Sequence, residues 1–240
     1  MSLRELKTRC SACSMRELCL PVGLSPDELN ALDTAVGKRS RLHKGDALYR
    51  AGDAFGALYA VRLGTFKTTV LAEDGREQIA GYHLQGDLLG LDGLGTERHG
   101  CAAIALEDSE VCTIPFADLE EVARSVPPLQ RNLHQILARE ISRDHGVMLL
   151  LGSMRAEERL ASFLLSLSAR YRSRGYSSSE FVLRMTREEI GSYLGLKLET
   201  VSRTFSKFAE DGLIEVRQRH LRILDQQALR GILKQQPSCA

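Results

Sequence analysis

The feature that most constrains the fold is a change of texture along the chain. Between about Lys38 and Pro115, short apolar runs such as Ala57-Leu58-Tyr59-Ala60-Val61 and Thr68-Thr69-Val70-Leu71 are cut by glycines at 45, 52, 56, 64, 75, 81, 86, 90, 93 and 95. Short runs broken by turn residues build many short strands, hence a β-barrel or a double-sheet roll. Asp74-Gly75, between two such runs, reads as a hairpin turn. After Pro115 the pattern becomes helical. Pro127-Pro128 suits the first turn of a long helix reaching about Leu151, with Leu133, Leu137, Ile141, Met148 and Leu151 along one stripe. Gly152-Ser153 reads as a linker. A helix from Arg155 to Tyr171 then buries Leu160, Phe163, Leu164 and Leu167, and Arg172 to Ser179 is a polar loop.

The chain opens with three cysteines, Cys10, Cys13 and Cys19, in a C-x2-C-x5-C spacing. A loop that tight can place three thiolates round one metal centre with little further loss of chain entropy. Thiolate-rich sites select iron–sulfur clusters, zinc or copper(I), and a fourth ligand must come from elsewhere. A disulfide or a chance pair is the competing reading of CxxC. Just beyond, Ser25 and Glu28 form the capping box of a short helix.

The far end of the chain has the pattern of a DNA reader. Thr186-Arg187-Glu188-Glu189 is a second capping box, Ile190 and Leu194 give an inner face, and Gly195 supplies the turn of a helix-turn-helix. In the next helix, from about Leu198 to Asp211, Val201, Phe205 and Phe208 fall on one face and Glu199, Ser202, Arg203 and Ser206 on another. An apolar back and a polar front suit a recognition helix in the major groove. Arg203 can grip guanine as a two-pronged donor, Glu199 can accept from cytosine, and Ser202 can serve either kind of base. Lys197 and Lys207 are expected on phosphates. Leu213 to Val216 and Leu221 to Leu224 form a small hairpin, or wing. An ordinary helical hairpin with a solvated face is the competing reading.

Composition narrows the function. At 240 residues, 43% hydrophobic and 26% charged, the chain is an ordinary globular protein. It shows no apolar N-terminal run and no stretch of the roughly 18 apolar residues that would span a bilayer. A cytoplasmic location is expected, where six cysteines point to metal or redox chemistry more than to disulfides. The net charge of +1 hides an asymmetry: from Ser153 onward there are 15 Lys and Arg against 10 Asp and Glu, the footprint of a nucleic-acid binder. No Ser/His/Asp set, phosphate loop or convincing carboxylate pair is present, so the chain is not read as an enzyme. The expected fold class is α+β. A cysteine arm (1–24) leads into a jelly-roll-like β-roll sensor (25–126). A dimerisation helix with its linker (127–152) and a winged helix-turn-helix (153–240) follow.

These segments together resemble the CRP/FNR superfamily of bacterial transcription regulators. Leu198-Glu199-Thr200-Val201-Ser202-Arg203, Leu58-Tyr59-Ala60-Val61-Arg62, Glu77-Gln78-Ile79, Gly81-Tyr82-His83-Leu84, Val111-Cys112-Thr113-Ile114-Pro115 and Ala156-Glu157-Glu158-Arg159 carry the resemblance. The cysteine arm, ending in Cys19-Leu20-Pro21, resembles the FNR (fumarate-nitrate-reduction regulator) branch. The resemblance implies a 4Fe–4S cluster on Cys10, Cys13, Cys19 and a β-roll cysteine. Cys112 matches that position; Cys101 is read as a small packed hydrophobe. It also implies an oxygen-responsive activator of anaerobic metabolism that is a homodimer when the cluster is bound. Its site would be a TTGAT-N4-ATCAA-like palindrome in double-stranded DNA, and RNA polymerase would be a partner. Asp144, inside the helical stripe, would repel its counterpart across a dimer, with Ile141 helping to shield the charges. An aspartate at the edge of the stripe, in reach of water, is the other reading. Asp74, Gly75 and Arg76 would form a polymerase-contacting hairpin, or simply a solvated turn. A cyclic nucleotide is not expected: Gly86-Asp87 and His99-Gly100-Cys101 stand where such regulators carry Gly-Glu and an Arg-Ser/Thr pair. A zinc- or thiol-redox-responsive regulator on the same scaffold is the alternative.

Overall fold

The computed structural model describes residues 9–71, 75 and 77–233. Asp74 and Arg76 of the expected polymerase hairpin, and Cys239, lie outside them. The elements run α1 (Pro26–Ala35), β1 (Arg39–Leu42), β2 (Ala47–Tyr49), β3 (Ala57–Leu63), β4 (Phe66–Leu71), β5 (Glu77–His83), β6 (Leu88–Leu89), β7 (Ala102–Ala105) and β8 (Ser109–Pro115). Then come α2 (Phe116–Ser125), α3 (Pro127–Ser153), α4 (Ala156–Ser173), β9 (Glu180–Val182), α5 (Arg187–Leu194), α6 (Leu198–Glu210), β10 (Ile214–Arg217), β11 (His220–Ile223) and α7 (Gln226–Ile232).

The glycine-cut runs form two four-stranded antiparallel sheets, ordered β1-β8-β3-β6 and β2-β7-β4-β5. Strand alternation gives the first sheet two buried faces. Val61, Leu89 and Val111 pack inward with Tyr49, Phe66, Ala103 and Ala105 of the second sheet. Leu58, Ala60, Leu88, Cys112 and Ile114 point the other way and pack with α1, α2, the start of α3 and the arm's Leu20. Each fully buried leucine contributes about 1.5–3 kcal/mol, so Leu20, Leu32, Leu119 and Leu129 bind these segments to the roll. The Ser25 box forms: Ser25 Oγ accepts from the Glu28 amide at 3.4 Å, and Glu28 Oε2 accepts from the Ser25 amide at 2.8 Å.

The chain divides into two compact units, residues 1–142 and 143–240, within α3. Two expectations about this helix change. Gly152-Ser153 is not a linker but the last turn of α3, where Ser153 Oγ bonds back to Leu149 O at 2.8 Å; the break falls at Met154-Arg155. The apolar stripe is also divided. Of its residues Leu133 packs on the roll, beside Leu129 and Ile136, whereas Ile141 and Met148 are 55% and 67% exposed.

The second unit packs Leu160, Leu164, Ile190, Leu194, Val201, Phe205, Phe208, Ile214 and Leu221 inside. The expected wing is the β10–β11 hairpin. It gains a third strand, β9, on the β11 edge, from a stretch too short to signal itself in the sequence. Among the described residues no helix is long and apolar enough to cross a membrane.

Candidate metal centre and nucleic-acid interface

The arm is a succession of tight turns. The Cys13 amide donates to Cys10 O at 3.1 Å, Leu18 to Met15 O at 3.0 Å, and Val22 to Cys19 O at 3.2 Å. Two polar fasteners outside the arm hold it, and neither has a sequence signature. Asp33 of α1 accepts the Cys10 amide, the Ser11 amide at 3.2 Å and Ser11 Oγ at 2.5 Å. Asn132 of α3 donates to Leu20 O at 3.0 Å and to Val22 O at 2.8 Å. Gly86, with φ 86°, gives the arm its seat: a Cβ there would stand 2.8 Å from Leu18 Cβ and 3.0 Å from Leu18 O.

Cys10, Cys13 and Cys19 line one cavity with Cys112 of β8, walled by Leu20, Leu32, Val36, Ala60 and Ile114. Alternation along β8 sends Val111 between the sheets and Cys112 to the arm. Cys101 lies elsewhere, packed between the sheets. Its thiol donates to Asp92 Oδ2 at 3.3 Å, a carboxylate that also accepts the Gly100 and Cys101 amides. Cys101 is thus packed as expected, but as a hydrogen-bonded thiol. Among the described residues, no three His, Cys, Asp or Glu side chains converge to hold a single ion.

Burial opposes ionisation of the thiols in that cavity, whose lining also holds Arg9, Arg16 and Arg62. Burial pushes the Cys10 thiol far above its ordinary value, and its neighbours Cys19, Asp33, Cys112 and Cys13 push it the same way. Burial raises Cys19 to about 12, against the pull of the Leu20 amide, with Cys112 and Cys13 adding to the rise. Cys112 is raised by burial and by Cys13, opposed by Arg39 and Arg62. Thiols so placed ionise together only when a cation replaces their protons. At the rim Arg62 donates to Glu110 at 2.6 Å, with Arg39 and Arg41 each 3.7 Å from the same carboxylate. Burial raises Glu110, but Arg62, then Arg39 and Arg41, outweigh it and hold the carboxyl below its ordinary value.

The positions weighed for a nucleotide are turned to internal uses. Asp87 accepts the Leu84 amide of its own turn at 2.8 Å, Arg98 donates to Gly52 O at 2.7 Å, and buried His99 stacks on Tyr49 at 3.7 Å.

In the second unit local sequence builds the reading head. Thr186 Oγ1 accepts from the Glu189 amide at 3.1 Å while Glu189 accepts from the Thr186 amide at 2.7 Å. Gly195 ends α5 in the left-handed conformation, φ 61°. Val201, Phe205 and Phe208 are buried, and Glu199, Ser202, Arg203 and Ser206 form one exposed row. Lys197 is exposed at the N-cap of α6. Lys207, also exposed, is paired with Glu157 of α4 at 2.6 Å, so a phosphate would have to displace that carboxylate. Arg187 stacks over the Phe205 ring at 3.2 Å from the centroid, and burial brings its guanidinium down to about 10, still charged at neutral pH. That stack, which ties α5 to the back of α6, had no sequence signal.

Residues 39–125 match the family described as the cyclic nucleotide-binding domain, and residues 158–232 the Crp-like helix-turn-helix domain. The chain is 47% identical over 230 residues to the transcriptional regulatory protein btr of Bordetella pertussis, covering 96% of this chain and 95% of that one. It is 42% identical to the fumarate and nitrate reduction regulatory protein of Salmonella typhimurium, covering 93% and 89%. Among solved structures, FixK2 from Bradyrhizobium japonicum superposes with a TM-score of 0.75 at 32% identity, covering 82% of this chain and 96% of that one. With roll, long helix and winged head in the same order, the chain belongs to the CRP/FNR superfamily, in its FNR branch, and is a DNA-binding transcription regulator and not an enzyme.

Proposed function

We propose that this regulator is oxygen-responsive, through a 4Fe–4S cluster on Cys10, Cys13, Cys19 and Cys112. The observation that carries the reading is the cavity those four thiols line between arm and roll. A 4Fe–4S cluster would take one thiolate on each of its four irons, the number of thiols that line this cavity. When bound, the cluster supplies oxygen-labile bonds between arm and roll.

The chain's own residues supply the rest. Asp33 fixes the arm at its first cysteine, and Asn132 ties the backbone after Cys19 to α3. Ile141 and Met148, exposed on α3 with exposed Asp144 between them, offer a face for a second copy. Two Asp144 carboxylates brought together as that face dries repel each other. Ordering of the arm contributes the few kcal/mol needed to tip this balance toward the dimer. The dimer sets two α6 helices about 34 Å apart, on the half-sites of a TTGAT-N4-ATCAA-like palindrome. Glu199, Ser202 and Arg203 read bases, and Lys197 and Lys207 hold phosphates. Air-sensitive control of anaerobic metabolism genes by a cytoplasmic protein follows, with no call on a cyclic nucleotide. RNA polymerase would be met at the hairpin around Gly75.

The test is an anaerobic absorption spectrum with iron and sulfide assays, repeated in air. A broad brown band with about four iron atoms per chain, bleaching in air, is expected. A colourless, zinc-bearing protein overturns the oxygen reading and leaves the DNA reader intact. Asp144→Ala is expected to give a dimer that binds DNA in air; a variant that stays monomeric without iron removes the charge gate.

A further inference from the structure

The arm reaches α3 through a hydrogen-bonded path that starts at a cysteine. The Val22 amide donates to Cys19 O at 3.2 Å, and Val22 O in turn accepts from Asn132 Nδ2 at 2.8 Å. The same amide nitrogen also donates to Leu20 O at 3.0 Å. One primary amide thus spends both its hydrogens on the two carbonyls that flank Pro21, which itself has no N–H to give. Asn132 stands among apolar anchors: Leu129 is fully buried, and Leu133 and Ile136 pack against the cluster of side chains that holds Leu20, Cys10, Cys19 and Cys112. Nine residues further along the helix, about 14 Å at 1.5 Å per residue, exposed Ile141 opens the apolar face that carries Asp144.

We infer that Asn132 is the positioning residue that couples the arm to the dimerisation helix, through its two hydrogen bonds to the backbone after Cys19. Both bonds go to backbone carbonyls, of Leu20 and Val22, and neither to a thiol. Its carboxamide holds the arm backbone against α3 only while Cys19 keeps that backbone in its turn. Release of Cys19 lets Leu20 and Val22 swing away, and the helix loses its polar contact with the arm. The inference rests on the oxygen-responsive reading proposed above.

Asn132→Asp is the sharpest change. It keeps the shape, but a carboxylate has no N–H and would face two carbonyl oxygens. Four full-length proteins are compared under anaerobic conditions: wild type, Asn132→Asp, Asp144→Ala and the Asn132→Asp/Asp144→Ala double variant. Iron, sulfide and the absorption spectrum are read alongside the monomer–dimer equilibrium from sedimentation. Wild-type iron content and bleaching rate in Asn132→Asp, with its dimer weakened roughly ten- to a hundredfold, is the expected result. The double variant is expected to dimerise again, because the repulsion that the arm must offset is gone; this also shows that the variant folds. Wild-type dimerisation in Asn132→Asp overturns the inference. Loss of iron in Asn132→Asp overturns it too, by making Asn132 part of the metal site's own support. A double variant that stays monomeric overturns it by placing Asn132 in the dimer face itself. A wild-type protein without iron overturns the underlying reading, and is distinguished because it is seen before any variant is made.

Discussion

The cysteine site and the reading head are built on opposite plans. The head is local: one capping box, one left-handed glycine and a 3.6-residue period put Glu199, Ser202, Arg203 and Ser206 in an exposed row with Val201, Phe205 and Phe208 behind it. The cysteine site is assembled from an arm, one helix and two strands, with Cys19 and Cys112 separated by 93 positions yet lining one cavity. A local element carries its geometry with it. A site gathered from distant segments exists only where those segments pack together.

The sharpest way to break this contrast is at the two roll cysteines. Cys112→Ser is expected to abolish iron binding, from about four atoms per chain to none, while Cys101→Ser keeps it; iron and sulfide assays on the two variants decide. The opposite outcome would move the site between the sheets. Phe208→Ala is expected to cost the head about 3–5 kcal/mol, because Phe208 is fully buried behind the exposed row. Denaturant unfolding should show that loss with anaerobic iron binding unchanged; a parallel loss of iron would mean that the two plans are not separate. Arg203→Ala is expected to cost about 1–3 kcal/mol per half-site on the specific palindrome. Fluorescence titration against unrelated DNA checks it: an equal loss on every sequence makes Arg203 a phosphate contact. Thr186→Ala removes the cap of α5 and is expected to lower the head's stability by about 0.5–2 kcal/mol. A thermal scan with no shift would show that packing alone holds that helix.

The long helix falls between the two plans. Its start at Pro127 is legible, but its stripe reads as one face where the fold uses two. Leu133 is claimed by the roll, with Leu129 and Ile136 beside it, while Ile141 and Met148 remain exposed. Periodicity tells which residues share a side; it does not tell how many neighbours will divide that side between them. The same limit hid Asp33 and Asn132. Each is a polar residue in an amphipathic helix, and only the approach of the arm turns one into an acceptor for Cys10 and Ser11 and the other into a donor to Leu20 and Val22.

By itself the sequence determined the α+β order of arm, roll, long helix and winged head, because turn residues, caps and hydrophobic periods act within a few residues of where they stand. It also determined the polar row of α6. The tertiary structure decided which roll cysteine meets the arm and what holds the arm there. Those outcomes depend on strand pleat and on helices packing across more than a hundred residues of chain. Cys101 and Cys112 are chemically identical; one stands just before β7 and packs between the sheets, while the other lies on the face of β8 turned to the arm.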